Sequence, residues 1–121
     1  MVDVKSLEAP DLALIDTAAI AILVRSDIPV VILDARSDEY DDGRRNPGAS
    51  QLPVKSTASE VESVIGAKDT LVVTYCTNLH CPASMALYRH LKNLGYENVL
   101  DYPDGLAGWA AAGYEVEEAK G

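Results

Sequence analysis

Two short apolar, β-branched runs, Pro29–Leu33 and Thr70–Tyr75, constrain the fold of this chain more than any other feature. Each ends at a polar turn, and each is followed by residues with helical character. A third, shorter run, Asn98–Asp101, precedes another helical stretch. Strands that alternate with helices predict a parallel sheet covered on both faces, an α/β sandwich. The helices carry their own start and stop signals. Asp16-Thr17 caps a helix over Ala18–Arg25, and the Thr57-to-Glu60 spacing is a capping box for a helix reaching about Ile65. Ser37–Tyr40 reads as a single helical turn and Asp42–Gly48 as a loop rich in turn formers. From Pro82 a helix runs to Leu94, with Leu87, Leu91 and Leu94 on one face and Arg89, Lys92 and Asn93 away from it. Pro82 suits the first turn, and Gly95 the position just past the end. Gly105–Ala112 forms a last helix carrying Trp109. The two ends, Met1 to about Pro10 and Glu115–Gly121, are expected to be loosely held.

The only cysteines, Cys76 and Cys81, fall at the carboxyl end of the second strand and in the loop that follows it. Joining them would close a very small loop and would staple little of the chain. A four-ligand structural zinc site is not available, since only His80 and His90 could accompany the two thiols. In parallel sheets ligands bind at the carboxyl ends of strands, which is where Cys76 lies. The loop leads into a helix amino terminus, where free N–H groups and the helix dipole favour a thiolate or an anionic substrate. A reactive thiol is therefore expected over a buried, inert one.

Composition excludes several other roles. The 121 residues predict a single domain over 1–121. A formal charge of −9, from 19 acidic and 10 basic residues, argues against a nucleic-acid binder. The longest apolar run, Ala18–Val24, is far too short to cross a bilayer, so no membrane association is expected. The segment beginning Met1-Val2-Asp3-Val4-Lys5-Ser6 has no basic region followed by an apolar core, so no retained secretory signal is expected. With two clustered thiols, this favours a reducing, cytoplasmic setting.

Taken in order, the landmarks resemble the single-domain rhodanese-like proteins over about Val30–Tyr114. They are Leu33-Asp34-Ala35-Arg36 with Glu39-Tyr40, Gly43, Pro47-Gly48-Ala49, Leu52-Pro53, Tyr75-Cys76, Leu94 to Val99, Asp104-Gly105, Trp109 and Ala112-Gly113-Tyr114. The resemblance implies a rhodanese-like three-layer sandwich with a central parallel sheet flanked by helices. It also implies a sulfurtransferase that needs no cofactor or metal. Cys76 would be the nucleophile, carrying sulfane sulfur as a persulfide, with Thr77, Asn78, Leu79, His80 and Cys81 forming the substrate cradle. The partners would be a small sulfur-containing donor, such as thiosulfate or a polysulfide, and a thiol or cyanide-type acceptor, a protein thiol included.

The loop departs from the family's commonest pattern in length, by about two residues, and at two positions. Leu79 stands where glycine is frequent, and Cys81 where a basic or hydroxyl residue is frequent. No Arg or Lys lies in the loop to hold a dianion, and His80 is the one cation candidate there. The phosphatase relatives need an Arg six residues after the cysteine; that position is Pro82, and Arg44 and Arg45 read as solvated turn residues. Cys81 could act as a resolving thiol, so a dithiol redox protein is the alternative enzyme. A non-catalytic docking module with the same fold is the alternative outside enzymes. Asp34, Arg36 and Glu39 are expected to brace the strand end, Trp109 to anchor the core, and Asp104-Gly105 to shape the loop bordering the site.

Overall fold

The computed structural model describes residues 13–36, 49–77 and 82–116, together with the backbone of 44–45 and 117–118. Four helices are described: α1 (Thr17–Arg25), α2 (Ala58–Ile65), α3 (Ala83–Asn93) and α4 (Gly105–Ala111). The strands are β1 (Val30–Asp34), β2 (Arg44–Arg45), β3 (Ser50–Gln51), β4 (Leu71–Tyr75), β5 (Val99–Tyr102) and β6 (Glu117–Glu118).

A four-stranded sheet has the order β3-β1-β4-β5, and all its pairings are parallel. β1 and β4 lie at its centre because both are apolar on consecutive residues and can be buried on both faces. Leu33 and Val72 face one core with Val61 and Ile65 of α2 and Leu87, Tyr88 and Leu91 of α3. Ile32, Val73 and Tyr75 face the other, with Ile20 and Ala21 of α1 and Leu106 and Trp109 of α4. The result is a three-layer α/β sandwich, α2 and α3 on one side and α1 and α4 on the other.

Local chemistry fixes the helix starts as read from the sequence. Asp16 accepts the Ala19 N–H at 2.8 Å, and Thr57 and Glu60 exchange both bonds of a capping box. α3 ends as expected: Leu87 and Leu91 are fully buried, and Gly95 takes a left-handed φ of 98°. Its start differs, because Pro82 takes the N-cap position rather than one inside the helix and caps with no side-chain bond.

Three further features go beyond the sequence reading. Arg44–Arg45, expected as part of a loop, pairs antiparallel with Glu117–Glu118, so neither segment is structureless. Ser50–Gln51 adds an edge strand beside β1. Leu14 forms a parallel bridge with Asp101, so residues 13–15 run along the outer side of β5. The turn expected at Ser37–Tyr40 lies outside the described residues. No helix among the described residues is long and apolar enough to cross a membrane.

Candidate active site

Cys76 is the first residue after β4, at the carboxyl edge of the sheet between two core strands. It is buried, with 2% of its surface exposed, and it is disulfide-bonded rather than a free thiol. The amino end of α4 holds the backbone that follows it. The Leu106 N–H donates to the Cys76 carbonyl at 3.0 Å, and the Ala107 N–H donates to the Thr77 carbonyl at 2.8 Å. Two amides of the first helical turn, which have no partner inside α4, are thereby satisfied by the loop. Because a carbonyl and the following N–H point in opposite directions across a trans peptide, the Thr77 N–H is turned away from α4. Gly105 makes this approach possible with a left-handed φ of 62° at the first position of the helix. The expectation that Asp104-Gly105 shapes the border of the site is met in this form.

Of the expected cradle, Thr77 is half-buried and adjoins Cys76. Asn78, Leu79, His80 and Cys81 lie outside the described residues. The Arg44 and Arg45 side chains also lie outside them.

Beneath Cys76 the sheet edge is braced by a buried charge pair. Arg36 Nη2 lies 2.8 Å from Asp34 Oδ2, Arg36 Nε donates to both carboxylate oxygens, and both side chains are fully buried. The Tyr75 hydroxyl donates to the same carboxylate at 3.2 Å, tying the residue before Cys76 to β1. Asp34 and Arg36 thus act as the expected brace; Glu39, its expected third member, lies outside the described residues. Trp109 is the expected core anchor: it is buried, stacks on Tyr114 at 4.5 Å and donates to the Glu115 carbonyl at 2.7 Å.

A second polar cluster escaped the sequence reading. Asp101 of β5 is buried with 1% exposure and accepts the Thr74 hydroxyl at 3.0 Å. Burial raises its carboxyl above the ordinary range, against the stabilising hydrogen bonds of the Ser84 and Thr74 hydroxyls. Beside it, the Tyr102 hydroxyl pairs with that of Thr17. Burial raises this phenol, the Thr17 bond opposes the shift, and the Asp104 and Asp16 carboxylates add to it. The signal that could have exposed the first cluster is Thr74 two residues before Cys76 on the same side of the strand, with Ser84 in the first turn of α3. Among the described residues, no three His, Cys, Asp or Glu side chains converge as a metal site.

The rhodanese-like domain family model matches residues 7–112, so the chain belongs to this family. The match starts well before the Val30 boundary drawn from the landmarks. The BH2092 protein of Bacillus halodurans superimposes with a TM-score of 0.78 at 21% identity, covering 95% of this chain and 80% of that one. A thiosulfate sulfurtransferase from Pseudomonas aeruginosa gives a TM-score of 0.73 at 19% identity over 97% of this chain, but only 22% of its own length. Among curated proteins, the HTH-type transcriptional regulator Rv0324 of Mycobacterium tuberculosis is 29% identical over 89 residues, which are 74% of this chain and 38% of the relative. The chain thus spans under two-fifths of that curated relative. The structural likenesses establish the fold, and the family is of sulfurtransferase type.

Proposed function

We propose that the chain is a sulfurtransferase in which Cys76 carries sulfane sulfur as a persulfide. The observation that carries this reading is the position of Cys76 at the carboxyl end of β4, where the first turn of α4 binds the carbonyls of residues 76 and 77. With those carbonyls turned toward α4, the loop can present N–H groups to the sulfur. Such donors stabilise a thiolate and a persulfide anion, and covalent capture divides one transfer into two easier steps. Once a reducing thiol has opened the disulfide, the Cys76 thiolate attacks the outer sulfur of the donor in the first step. The donor's S–S bond breaks and its remainder leaves with the bonding pair, as sulfite from thiosulfate or as a thiolate from an organic persulfide. In the second step a thiolate or cyanide attacks the outer sulfur, and the Cys76 thiolate is released. The absence of Arg and Lys from residues 77–81 favours a persulfide or polysulfide donor over the thiosulfate dianion.

A second reading rests on one observation, that Cys76 is disulfide-bonded. In this reading Cys81, the other cysteine of the sequence, is a resolving thiol. Its thiolate attacks Cys76 Sγ of the persulfide, a disulfide forms, and hydrosulfide leaves with the electron pair. A reducing thiol would then have to restore the carrier before each cycle.

Turnover with thiosulfate and cyanide, or with glutathione persulfide and a thiol acceptor, tests both readings on Cys76→Ser and Cys81→Ser proteins. The sulfurtransferase reading requires that Cys76→Ser abolish transfer while Cys81→Ser retains it. Hydrosulfide release that disappears in Cys81→Ser would favour the redox reading instead.

A further inference from the structure

Resting on the reading of Cys76 as the reacting thiol, we infer that Asp101 is a positioning residue that clamps together the two stems of the Cys76 loop. The loop leaves β4 at Cys76 and enters α3 at Ala83, so its geometry depends on how firmly those two elements are joined beneath it. Asp101 lies on β5 and is paired in register with Thr74, two residues before Cys76. The Thr74 hydroxyl donates to Asp101 Oδ1 at 3.0 Å. On the other stem Ser84, the second residue of α3, is buried with its hydroxyl near enough to the Asp101 carboxylate to favour the charged form. All three side chains are buried, with exposures of 0% for Thr74, 4% for Ser84 and 1% for Asp101.

The clamp is itself held from behind. The Asp101 N–H donates to the Ala13 carbonyl at 2.8 Å, and its carbonyl accepts the Ile15 N–H at 2.9 Å. Residues 13–15 therefore cover the outer side of β5. At the same place α3 lacks what a helix start usually has: its N-cap Pro82 makes no side-chain bond, and its first turn contains no acidic residue. Through Ser84, in that first turn, α3 is linked to a carboxylate on a different strand.

Cys76 follows directly on β4 and Ala83 opens α3, and sulfur capture needs N–H donors aimed at one point. Loosening either stem misplaces those donors, and a displacement of about 1 Å can cost on the order of a hundredfold in rate. The clamp acts through hydrogen bonds, so an amide at position 101 should replace the carboxylate. Asn keeps an acceptor for Thr74 and presents a donor to the Ser84 oxygen.

The test is the rate at which iodoacetamide modifies Cys76 in the reduced, desalted full chain, read by peptide mass spectrometry across pH and alongside the melting temperature. Asp101→Ala and Ser84→Ala are expected to slow modification near neutral pH about tenfold, moving the midpoint up toward the ordinary thiol value of about 8.5. Asp101→Asn is expected to stay within about threefold of the parent, a rescue that loss of packing alone would not give. The inference is overturned if a folded Asp101→Ala or Ser84→Ala protein reacts at the parental rate, or if Asp101→Asn falls as far as Asp101→Ala. Should Asp101→Ala fail to fold, Ser84→Ala decides, because alanine suits the helix at that position. Sulfur loading of the parent protein is measured separately. A parent that accepts no sulfur, but whose Cys76 alkylation follows the Asp101 series, would reject the sulfurtransferase reading and keep the clamp.

Discussion

Asp34 and Asp101 sit on the two strands that flank β4, both are buried, and each accepts a side-chain hydroxyl from a residue just before Cys76. Asp34 faces a guanidinium: Arg36 meets it at 2.8 Å, and the Tyr75 hydroxyl adds a further donor. Asp101 is held by the hydroxyls of Thr74 and Ser84, and no salt bridge to it occurs among the described residues. The first arrangement is costly to break, because removing one ion strands the other in a dry interior. The second is cheap in charge, because a neutral amide of the same shape can take its place. The sheet edge under the site thus combines a rigid brace on the β1 side with a hydrogen-bonded clamp on the β5 side.

The comparison is broken most directly at the ion pair. Asp34→Ala should destabilise the fold by about 3–5 kcal/mol in urea denaturation, as expected for an uncompensated buried charge. A loss below about 1 kcal/mol would place the pair among the weak ion pairs of the surface. Thr74→Val removes one donor from Asp101 and leaves a buried acceptor short of a partner, an expected loss of about 1–3 kcal/mol. Tyr75→Phe removes one hydroxyl from Asp34 while Arg36 remains, so a smaller loss of about 1 kcal/mol is expected.

The smallest effect concerns pH. The folded-state pKa of Asp101 is raised by burial, so the folded chain binds that proton more tightly than the unfolded chain. Its contribution to stability is fully present below the ordinary value of 3.8 and is lost as pH rises through the raised folded value. Asp101→Asn does not titrate. Its melting temperature relative to the parent should therefore be more favourable near pH 7 than near pH 4. The opposite trend would mean that a cation stabilises Asp101 in the folded state.

Much of this was legible in local sequence, and the rest depends on contacts between distant segments. The strand over Thr70–Tyr75, the capping box at Thr57, the leucine face of α3 and the placement of Cys76 follow from short-range patterns, and the structure has all of them. Asp34-Ala35-Arg36 could be read as a brace because the partners are two residues apart. Asp101 could not: a charged residue at a strand end ordinarily reads as a solvated edge. It is buried beside Thr74 and Ser84, and the outer side of its strand is covered by residues 13–15, all of them far away in sequence. The pairing of Arg44–Arg45 with Glu117–Glu118 is equally non-local, and strands of two residues leave no periodicity to detect. Nor does anything in Leu106 or Ala107 announce that their amides hold the loop; only Gly105 marks the close approach.

The central claim, that Cys76 is a persulfide carrier, is tested most directly by intact-protein mass spectrometry. The reduced chain and its Cys76→Ser variant would each be exposed to thiosulfate and, separately, to polysulfide. The account predicts a gain of one sulfur atom in the parent with polysulfide, a weaker gain with thiosulfate, and none in Cys76→Ser. A parent that gains no sulfur from either donor, or a Cys76→Ser protein that gains as much as the parent, would contradict it.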